Sequence, residues 1–468
     1  MGGKMNPSVI ALAPLLCLAL SAVILLVPAA LQRPGVAWIV SLSGFVLSGV
    51  LLWPAWQQAP VSVTELLMID RYALAVTGIV VVSGLVVTVL GHEYFRARQI
   101  LHHSEIYLLL LIAALGGGVL AAAEHFASLF LGVELMGIAT AVLIAFPLGR
   151  VELEAGVKYL VLSGMASAFL VFGMGLVYAG GGVLVFSGMD FAGPGWVGLF
   201  MILAGLAFKL SWVPFHLWIG DVYQGAPPPV AAFLGSASKS AALAVFMRLL
   251  WKSDAYQNEM LAVLFIVIAC FSILVGNWLA LLQNRIKRLL AYSAIAHFGY
   301  LLVLPATAGR LGMEFVAEAS AFYLIAYSLA VGVGFGSISV MEQAGEEVDA
   351  LEDLRGLFHQ QPLLASLFTV ALLSLAGLPL TIGFIGKFYL FSAAVGGELW
   401  WLALVMVFGS GLGMVYYLRV ILVLGQPRTT CLHPNPATSG LLVLGFLVTM
   451  LVWLGIFPSW IMGLVSHF

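Results

Sequence analysis

Charge is scarce in this sequence: Asp, Glu, Lys and Arg make up 9% of its 468 residues, against roughly 25% in a soluble globular domain. Cysteine is nearly absent. Cys17, Cys270 and Cys431 lie far apart with no CxxC spacing, which argues against a disulfide framework, a zinc site or an iron–sulfur centre. No GxGxxG follows a strand pattern and no flavin signature occurs, so the chain offers no dinucleotide site. No basic patch suggests nucleic acid. Long polar segments are missing too. The longest connection, "MEQAGEEVDALEDLRGLFHQQP", is only a loop with an acidic stretch. What the sequence has instead is 62% hydrophobic residues and a mean hydropathy of +1.11. These values mark an all-α polytopic membrane protein.

A bilayer-crossing helix needs ~20 mainly apolar residues. That criterion gives about fourteen spans, near 8–30, 36–55, 70–91, 105–123, 126–147, 153–179, 196–218, 228–251, 259–282, 287–306, 314–341, 362–395, 399–424 and 439–463. The first resembles a signal peptide, but no convincing small-residue cleavage site follows it, so it reads as a span. With an even number of spans both termini share a side. That side carries Lys4, Arg71, Arg248, Lys252 and Arg310. The other carries Arg33, Arg96, Arg98, Arg150, Lys158, Arg285, Lys287, Arg288, Arg355, Arg419 and Arg428. The positive-inside rule then places both termini outside the cytoplasm.

Three lysines remain, Lys209, Lys239 and Lys387, all within spans, as is Glu134 in "SLFLGVELMGIATAVLIAF". Each costs ~2.5–3.5 kcal/mol at the centre of a membrane helix, on the order of 10 kcal/mol together. Snorkelling or a structural ion pair accounts for any one of them. Four such groups of opposed sign point to function. Burial favours the uncharged form of either group and a nearby opposite charge restores ionisation. A Glu–Lys pair of variable separation is therefore a proton switch.

Two prolines sharpen the case. Pro214 follows Lys209 closely and lacks the N–H a helix needs, so the span breaks there. Pro379, in "LLSLAGLPLTIGFIGKFYLF", interrupts a run too long for one straight span, and Lys387 follows. Freed backbone groups survive in a membrane only where protein or water satisfies them, and paired broken helices point to a transport site. Between these lysines lie His216, and His297 with Tyr292, Ser293 and Tyr300 in "LLAYSAIAHFGYLLVL". Ser236, Ser238, Tyr323, Tyr327 and Tyr389 are further polar groups. Each histidine has the alternative of bonding a backbone carbonyl. Lys158 pairs with Glu154 at i,i+4 in the mild reading and is a weak candidate for the interior. Glu105 and Glu124, near span ends, are expected to be solvated.

"KLSWVPFHLWIGDVYQGAPPPVAAFLGSASK", "NRIKRLLAYSAIAHFGYLL" and "LSLAGLPLTIGFIGKF" resemble the proton-translocating, antiporter-like membrane subunits of bacterial NADH:quinone oxidoreductase, respiratory complex I. The resemblance covers nearly the whole chain, with three long motifs in order. It implies fourteen helices containing two inverted five-helix repeats, with helices 7 and 12 broken. Here the repeats would cover 105–251 and 259–424, between a three-helix segment at 1–104 and a final loop and helix at 425–468. By family motif Glu134 is the acid of the fifth helix and Lys209 its lysine on the broken seventh. Lys239 is the relay on the eighth, His297 a histidine of the tenth, and Lys387 the terminal lysine of the broken twelfth. Among sister types, L has a long lateral helix beyond the point where this chain stops, and M a glutamate in place of Lys387. The N type fits.

The expectation is thus one proton channel of a redox pump in the bacterial inner membrane. NADH, FMN, iron–sulfur clusters and quinone sit in other subunits, and this chain holds no cofactor. Its partners are the bilayer and the other membrane-arm subunits, including homologous antiporter-like ones, with no nucleic acid. A proton loads Lys209 or Lys239 from the cytoplasm, passes through His297 to Lys387, and leaves on the far side. Glu134 sets the state of Lys209, while His216, Lys158 and Tyr300 are possible relays. A subunit of a multi-subunit cation/proton antiporter or a membrane-bound hydrogenase is the alternative on the same architecture, and a non-conducting scaffold is a third.

Overall fold

Backbone in a bilayer must satisfy its own hydrogen bonds, and the chain does so with helices nearly throughout. The computed structural model describes residues 6–100, 103–189, 191, 193–343, 347–427 and 438–465. Lys4, Arg428 and Cys431 lie outside the described residues. The N-terminal helices are α1 (Pro7–Ala30), α2 (Pro34–Gln58), α3 (Arg71–Ala97), α4 (Ser104–Ala121), α5 (Phe126–Ala145) and α6 (Arg150–Gly181). Then come α7 (Gly195–Leu210), α8 (Ile219–Gly225), α9 (Pro228–Lys252), α10 (Glu259–Leu281), α11 (Ile286–Leu311) and α12 (Met313–Glu342). The chain continues through α13 (Pro362–Ala376), α14 (Ile382–Gly396), α15 (Trp400–Leu424), α16 (Thr438–Ile456) and α17 (Ser459–Val465).

Among the described residues, twelve helices are long and apolar enough to cross a membrane. Two further crossings are interrupted: α7 stops at Leu210 and α8 resumes at Ile219, and α13 stops at Ala376 before α14 begins at Ile382. Contacts between connections agree with strict alternation through fourteen crossings. On the face shared by the N-terminus, Arg248 pairs with Asp70, Lys252 with Glu124 and Arg310 with Glu398. On the opposite face Gln32 meets Glu105, Arg98 meets Glu342, and Arg419 meets the carbonyls of Leu281 and Gln283. No contact named here joins one face to the other.

The all-α expectation needs one amendment. Between α2 and α3 the segments β1 (Val61–Thr64) and β2 (Leu67–Ile69) form an antiparallel hairpin, with Val61 opposite Ile69. The Met68 amide donates to Ala122 O at 2.9 Å, fastening the hairpin to the end of α4. Asp70 then caps α3 by accepting from the Ala73 amide at 2.8 Å. Glu124 also differs from expectation. It lies 2.6 Å from Lys252 with its side chain 13% exposed, and its backbone is held by Leu66 of the hairpin turn and by Phe186.

Burial is uneven. α9, α11 and α12 form the centre, whereas α1, α2, α10, α15 and α16 expose most of their apolar surface. Lys239 and His297 lie on that centre.

Candidate functional site

A helix end leaves four carbonyls without intrahelical partners and carries partial negative charge. Both interruptions place such an end deep in the bundle, and an ammonium group meets each. Lys239, on α9, donates to Leu210 O at 2.9 Å and to Ser211 Oγ at 2.9 Å. Lys387, on α14, donates to Ala376 O at 2.9 Å and to Ser410 Oγ at 3.2 Å. Each lysine thus caps the first half of a broken helix.

The backbone is shaped to allow this. Ser211 adopts a left-handed conformation, φ 61°, at a position where glycine is usual. Its hydroxyl is what takes the Lys239 proton donor. At the second break Gly377 has φ +83°, and a Cβ there would lie 2.7 Å from Lys387 Cδ, so both backbone and side-chain approach require glycine. The first break has two sides. Trp212 and Trp218 are buried, while Pro214, Phe215 and Leu217 face outward.

Lys209 occupies the last turn of α7, where the helix dipole favours a cation. Its ammonium donates to Ser163 Oγ at 2.6 Å and lies 5.6 Å from the Tyr159 ring centroid. Four residues along α6 from Ser163, Ser167 donates to the Glu134 carboxylate. Glu134 and Lys209 thus bind two serines one turn apart on α6 rather than each other in a direct ion pair. Gly137, one turn after Glu134, makes room: a Cβ there would lie 2.9 Å from Lys209 Nζ.

His297 is buried on α11 between two phenols, with Nδ1 2.7 Å from Tyr323 Oη and Nε2 3.2 Å from Tyr417 Oη. Tyr300 accepts from Asn277 Nδ2 at 3.3 Å, Asn277 accepts from Tyr416 at 3.0 Å, and Lys387 Nζ sits 5.6 Å over the Tyr300 ring. A narrow cavity lined by both His297 and Lys387, with room on the order of one water, separates the two. A larger one of about 200 Å³ adjoins Lys387 and Tyr300 between α14 and α15. Between Lys239 and His297 the packing is aromatic: Phe298 lies 4.8 Å from Lys239 Nζ and 5.3 Å from Tyr327, whose ring is 5.2 Å from that of His297.

The structure thus gathers Glu134, Lys209, Lys239, His297, Tyr300 and Lys387 into one row, with Tyr323 and Tyr327. It leaves others out. His216 stands on the non-helical segment, its Nδ1 without a hydrogen-bond partner. Tyr389 turns to Phe315 and Phe322. Lys158 is half exposed, 2.7 Å from Glu154 and 2.9 Å from Asp221, which also binds Arg288. Sequence reasoning missed Ser163, Ser167, Ser211, Asn277, Ser410 and Tyr417. The serine pair carries an i,i+4 signal, but a serine in a membrane helix bonds its own backbone so readily that the signal is weak.

The family described as NADH:quinone oxidoreductase/Mrp antiporter, transmembrane, matches residues 123–413. The chain is 44% identical to NADH-quinone oxidoreductase subunit N of Ectopseudomonas mendocina, over 98% of this chain and 96% of that one. It is 42% identical to the protein of the same name from Methylococcus capsulatus, over 96% and 93%. Among solved structures it is similar to a chain of respiratory complex I from Thermus thermophilus, with TM-score 0.84, 30% identity, and 97% and 99% of the two chains covered. A chain of the Mrp complex from Dietzia sp. DQ12-45-1b has TM-score 0.86 over 99% and 97% at 18% identity, a likeness of fold alone.

Proposed function

The chain belongs to the NADH:quinone oxidoreductase/Mrp antiporter membrane family, and from that premise we propose that it is the N-type, proton-translocating membrane subunit of a bacterial NADH:quinone oxidoreductase. It is a translocase component and carries out no redox step. NADH, FMN, iron–sulfur clusters and quinone belong to other subunits. The antiporter reading is disfavoured because the relatives at 42–44% identity are oxidoreductase subunits, whereas the Mrp likeness is one of fold.

One observation carries the residue assignment. Three lysines are held at the interior ends of broken helices by neutral oxygens, Ser163, Ser211, Leu210, Ala376 and Ser410. A lysine bound this way can lose its proton without leaving an unpaired carboxylate buried beside it. A proton from the cytoplasmic face loads Lys209 or Lys239. Glu134 holds Lys209 charged when the serine bridge on α6 draws them together and releases it when the bridge opens. From Lys239 the proton crosses the Phe298–Tyr327 barrier when that packing loosens. It then passes the Tyr323–His297–Tyr417 group and a water to reach Lys387, with Tyr300 beside it, and leaves on the other face. Moving one charge against about 100 mV requires ~2.3 kcal/mol, within reach of a change in burial at one lysine.

The two inverted repeats, 105–251 and 259–424, are part of this reading. Two backbone bridges support them: His125 pairs with Val185 just before α7, and Arg285 pairs with Ala350 before α13. The cytoplasmic face is the one bearing Arg98, Lys158, Lys287 and Arg288, so both termini lie outside, which reporter fusions at each end test. The residue assignment is tested by Lys209→Met in the reconstituted complex. Proton pumping falls by an order of magnitude or more while the complex assembles. Normal pumping in Lys209→Met, Glu134→Gln and Lys387→Met alike would leave the chain a scaffold.

A further inference from the structure

Away from the polar row the bundle contains an apolar cavity of about 310 Å³. Gly49 of α2, Gly78 and Val82 of α3, Ser236 of α9, Gly332 of α12 and Leu447 of α16 contribute to its walls. Val82 is 44% exposed, so the cavity reaches the outer surface there. Because Val82 lies near the middle of α3, that mouth opens at the depth of the hydrocarbon. On the α9 side its wall is Ala232 and Ser236, and Ser236 belongs to the π-turn Leu234–Ser238, which directly precedes Lys239. π-turns inside α-helices are uncommon and recur at functional sites.

The chemistry of the walls selects the occupant. Ser236 donates its hydroxyl to Ala232 O at 2.6 Å, Ser328 and Ser240 share a hydrogen bond at 3.3 Å, and apart from Ser83 the other lining residues are glycine or aliphatic. The inner wall therefore presents hydrocarbon, whereas a buried water needs 2–4 polar partners. A partner helix, roughly 10 Å across, is too wide. A cavity of ~150 Å³ accepts a benzene ring, so one about twice that size holds roughly a dozen carbons of a flexible chain.

We propose that this cavity is a binding site for the acyl chain of a membrane phospholipid, which enters sideways past Val82 and lies against Ser236 of the π-turn that precedes Lys239. The lipid then acts as a wedge between α3 and α12 and sets the packing behind the relay lysine. The site stands apart from the proton assignment, since lipid occupancy is read without measuring pumping.

The test is photolabelling of the whole complex in nanodiscs of phosphatidylethanolamine and phosphatidylglycerol carrying a diazirine midway along one acyl chain. Labelled peptides are mapped by mass spectrometry. Label is expected on α3 around Val82 and on α12 between Ile325 and Gly332, as well as on the outer faces of α1 and α2. A Cβ at Gly332 meets only Leu447 Cδ1 at 3.7 Å, and one at Gly78 only Leu52 Cδ1 at 3.6 Å. Gly332→Phe and Gly78→Leu therefore project into the cavity, and labelling of α12 falls by about tenfold as its space is filled. Leu329→Ala enlarges the cavity and raises labelling. Labelling of the outer faces stays constant throughout. The proposal is overturned if α12 stays unlabelled in the unaltered protein, or if its labelling ignores all three substitutions. It is also overturned if a diazirine-bearing isoprenoid quinone labels α12 and excess phospholipid fails to compete. Should Gly332→Phe not assemble, Gly78→Leu and Leu329→Ala decide the matter.

Discussion

Lys287 and Lys239 are both almost completely buried, yet they keep different company. Lys287, at the start of α11, lies 2.8 Å from the fully buried Glu342 carboxylate, which also takes Arg98 at 2.9 Å. Lys239, at mid-depth, touches a carbonyl, a hydroxyl and two aromatic rings. The contrast is general. At the two faces Arg98, Lys158, Arg248, Lys252, Arg285, Lys287, Arg288 and Arg310 are in ion pairs with Asp or Glu. Among the described residues, no ion pair includes Glu134, Lys209, Lys239 or Lys387. A carboxylate within contact distance fixes a lysine in its charged form. The face clusters are therefore suited to keep their charge and tie helices together, and under the proposed function the midplane row lets charge come and go.

The largest effect expected from this contrast is on assembly. Glu342→Gln takes the carboxylate from Arg98 and leaves the buried Lys287 with only the exposed Glu347 at 3.8 Å, a loss on the order of 3 kcal/mol. Native gels of solubilised membranes should contain little assembled complex, and adding Lys287→Met should restore part of it. Wild-type amounts of Glu342→Gln complex would break the comparison at its stable end. Lys239→Met tests the other end. With no ion pair to orphan, the complex should assemble within about twofold of normal, since a long apolar side chain replaces a buried amine. Pumping in proteoliposomes should drop by an order of magnitude or more, because a methionine carries no proton. Loss of assembly to the same degree as Glu342→Gln would erase the distinction.

The two breaks differ within the row as well. The first is linked through Ser163 and Ser167 to a carboxylate. The second is surrounded by phenols, an imidazole and hydroxyls. A smaller effect separates them. Tyr323→Phe removes the 2.7 Å hydrogen bond to His297 Nδ1, worth about 0.5–1.5 kcal/mol, so pumping should slow by roughly two- to tenfold with assembly unchanged. Unchanged pumping would take Tyr323 off the path and leave Tyr417 as the partner that matters.

Much of this was legible in the sequence, for physical reasons that also mark where legibility stops. Apolar length reveals crossings, so the all-α polytopic fold could be read, and twelve of the expected spans are helices long enough to cross a membrane among the described residues; Pro214 and Pro379 fall between the shorter apolar helices. Cost marks candidates, so Lys209, Lys239, Lys387 and Glu134 stand out against lipid. Partnership is not written locally. Glu342 looked like part of an acidic loop because Arg98 and Lys287 reach it from 244 and 55 residues away. Asn277 is one polar residue in the long apolar run of α10, and its partners Tyr300 and Tyr416 come from α11 and α15. The serine bridge between Glu134 and Lys209 required knowing which face of α6 turned inward. The hairpin at 61–69 was hidden by the apolar composition that its strands share with the helices beside them.

Lys158 is where the comparison is most exposed to failure. On sequence it was an interior candidate or half of an i,i+4 pair, and in the structure it sits 42% exposed among Glu154, Asp221 and Arg288. Two carboxylates beside it and Arg288 on the far side of Asp221 leave the cluster balanced without it being buried. Exposed pairs of this kind contribute ~0–1 kcal/mol and weaken with salt. Lys158→Met should therefore leave assembly intact and pumping within about twofold. Any residual effect should shrink further as ionic strength rises toward 1 M, where the screening length is about 3 Å. A collapse of pumping to the level of Lys239→Met, insensitive to salt, would mean that a paired, solvent-facing lysine carries protons as the unpaired ones do. Ion pairing would then not be what separates structural from working charge in this bundle.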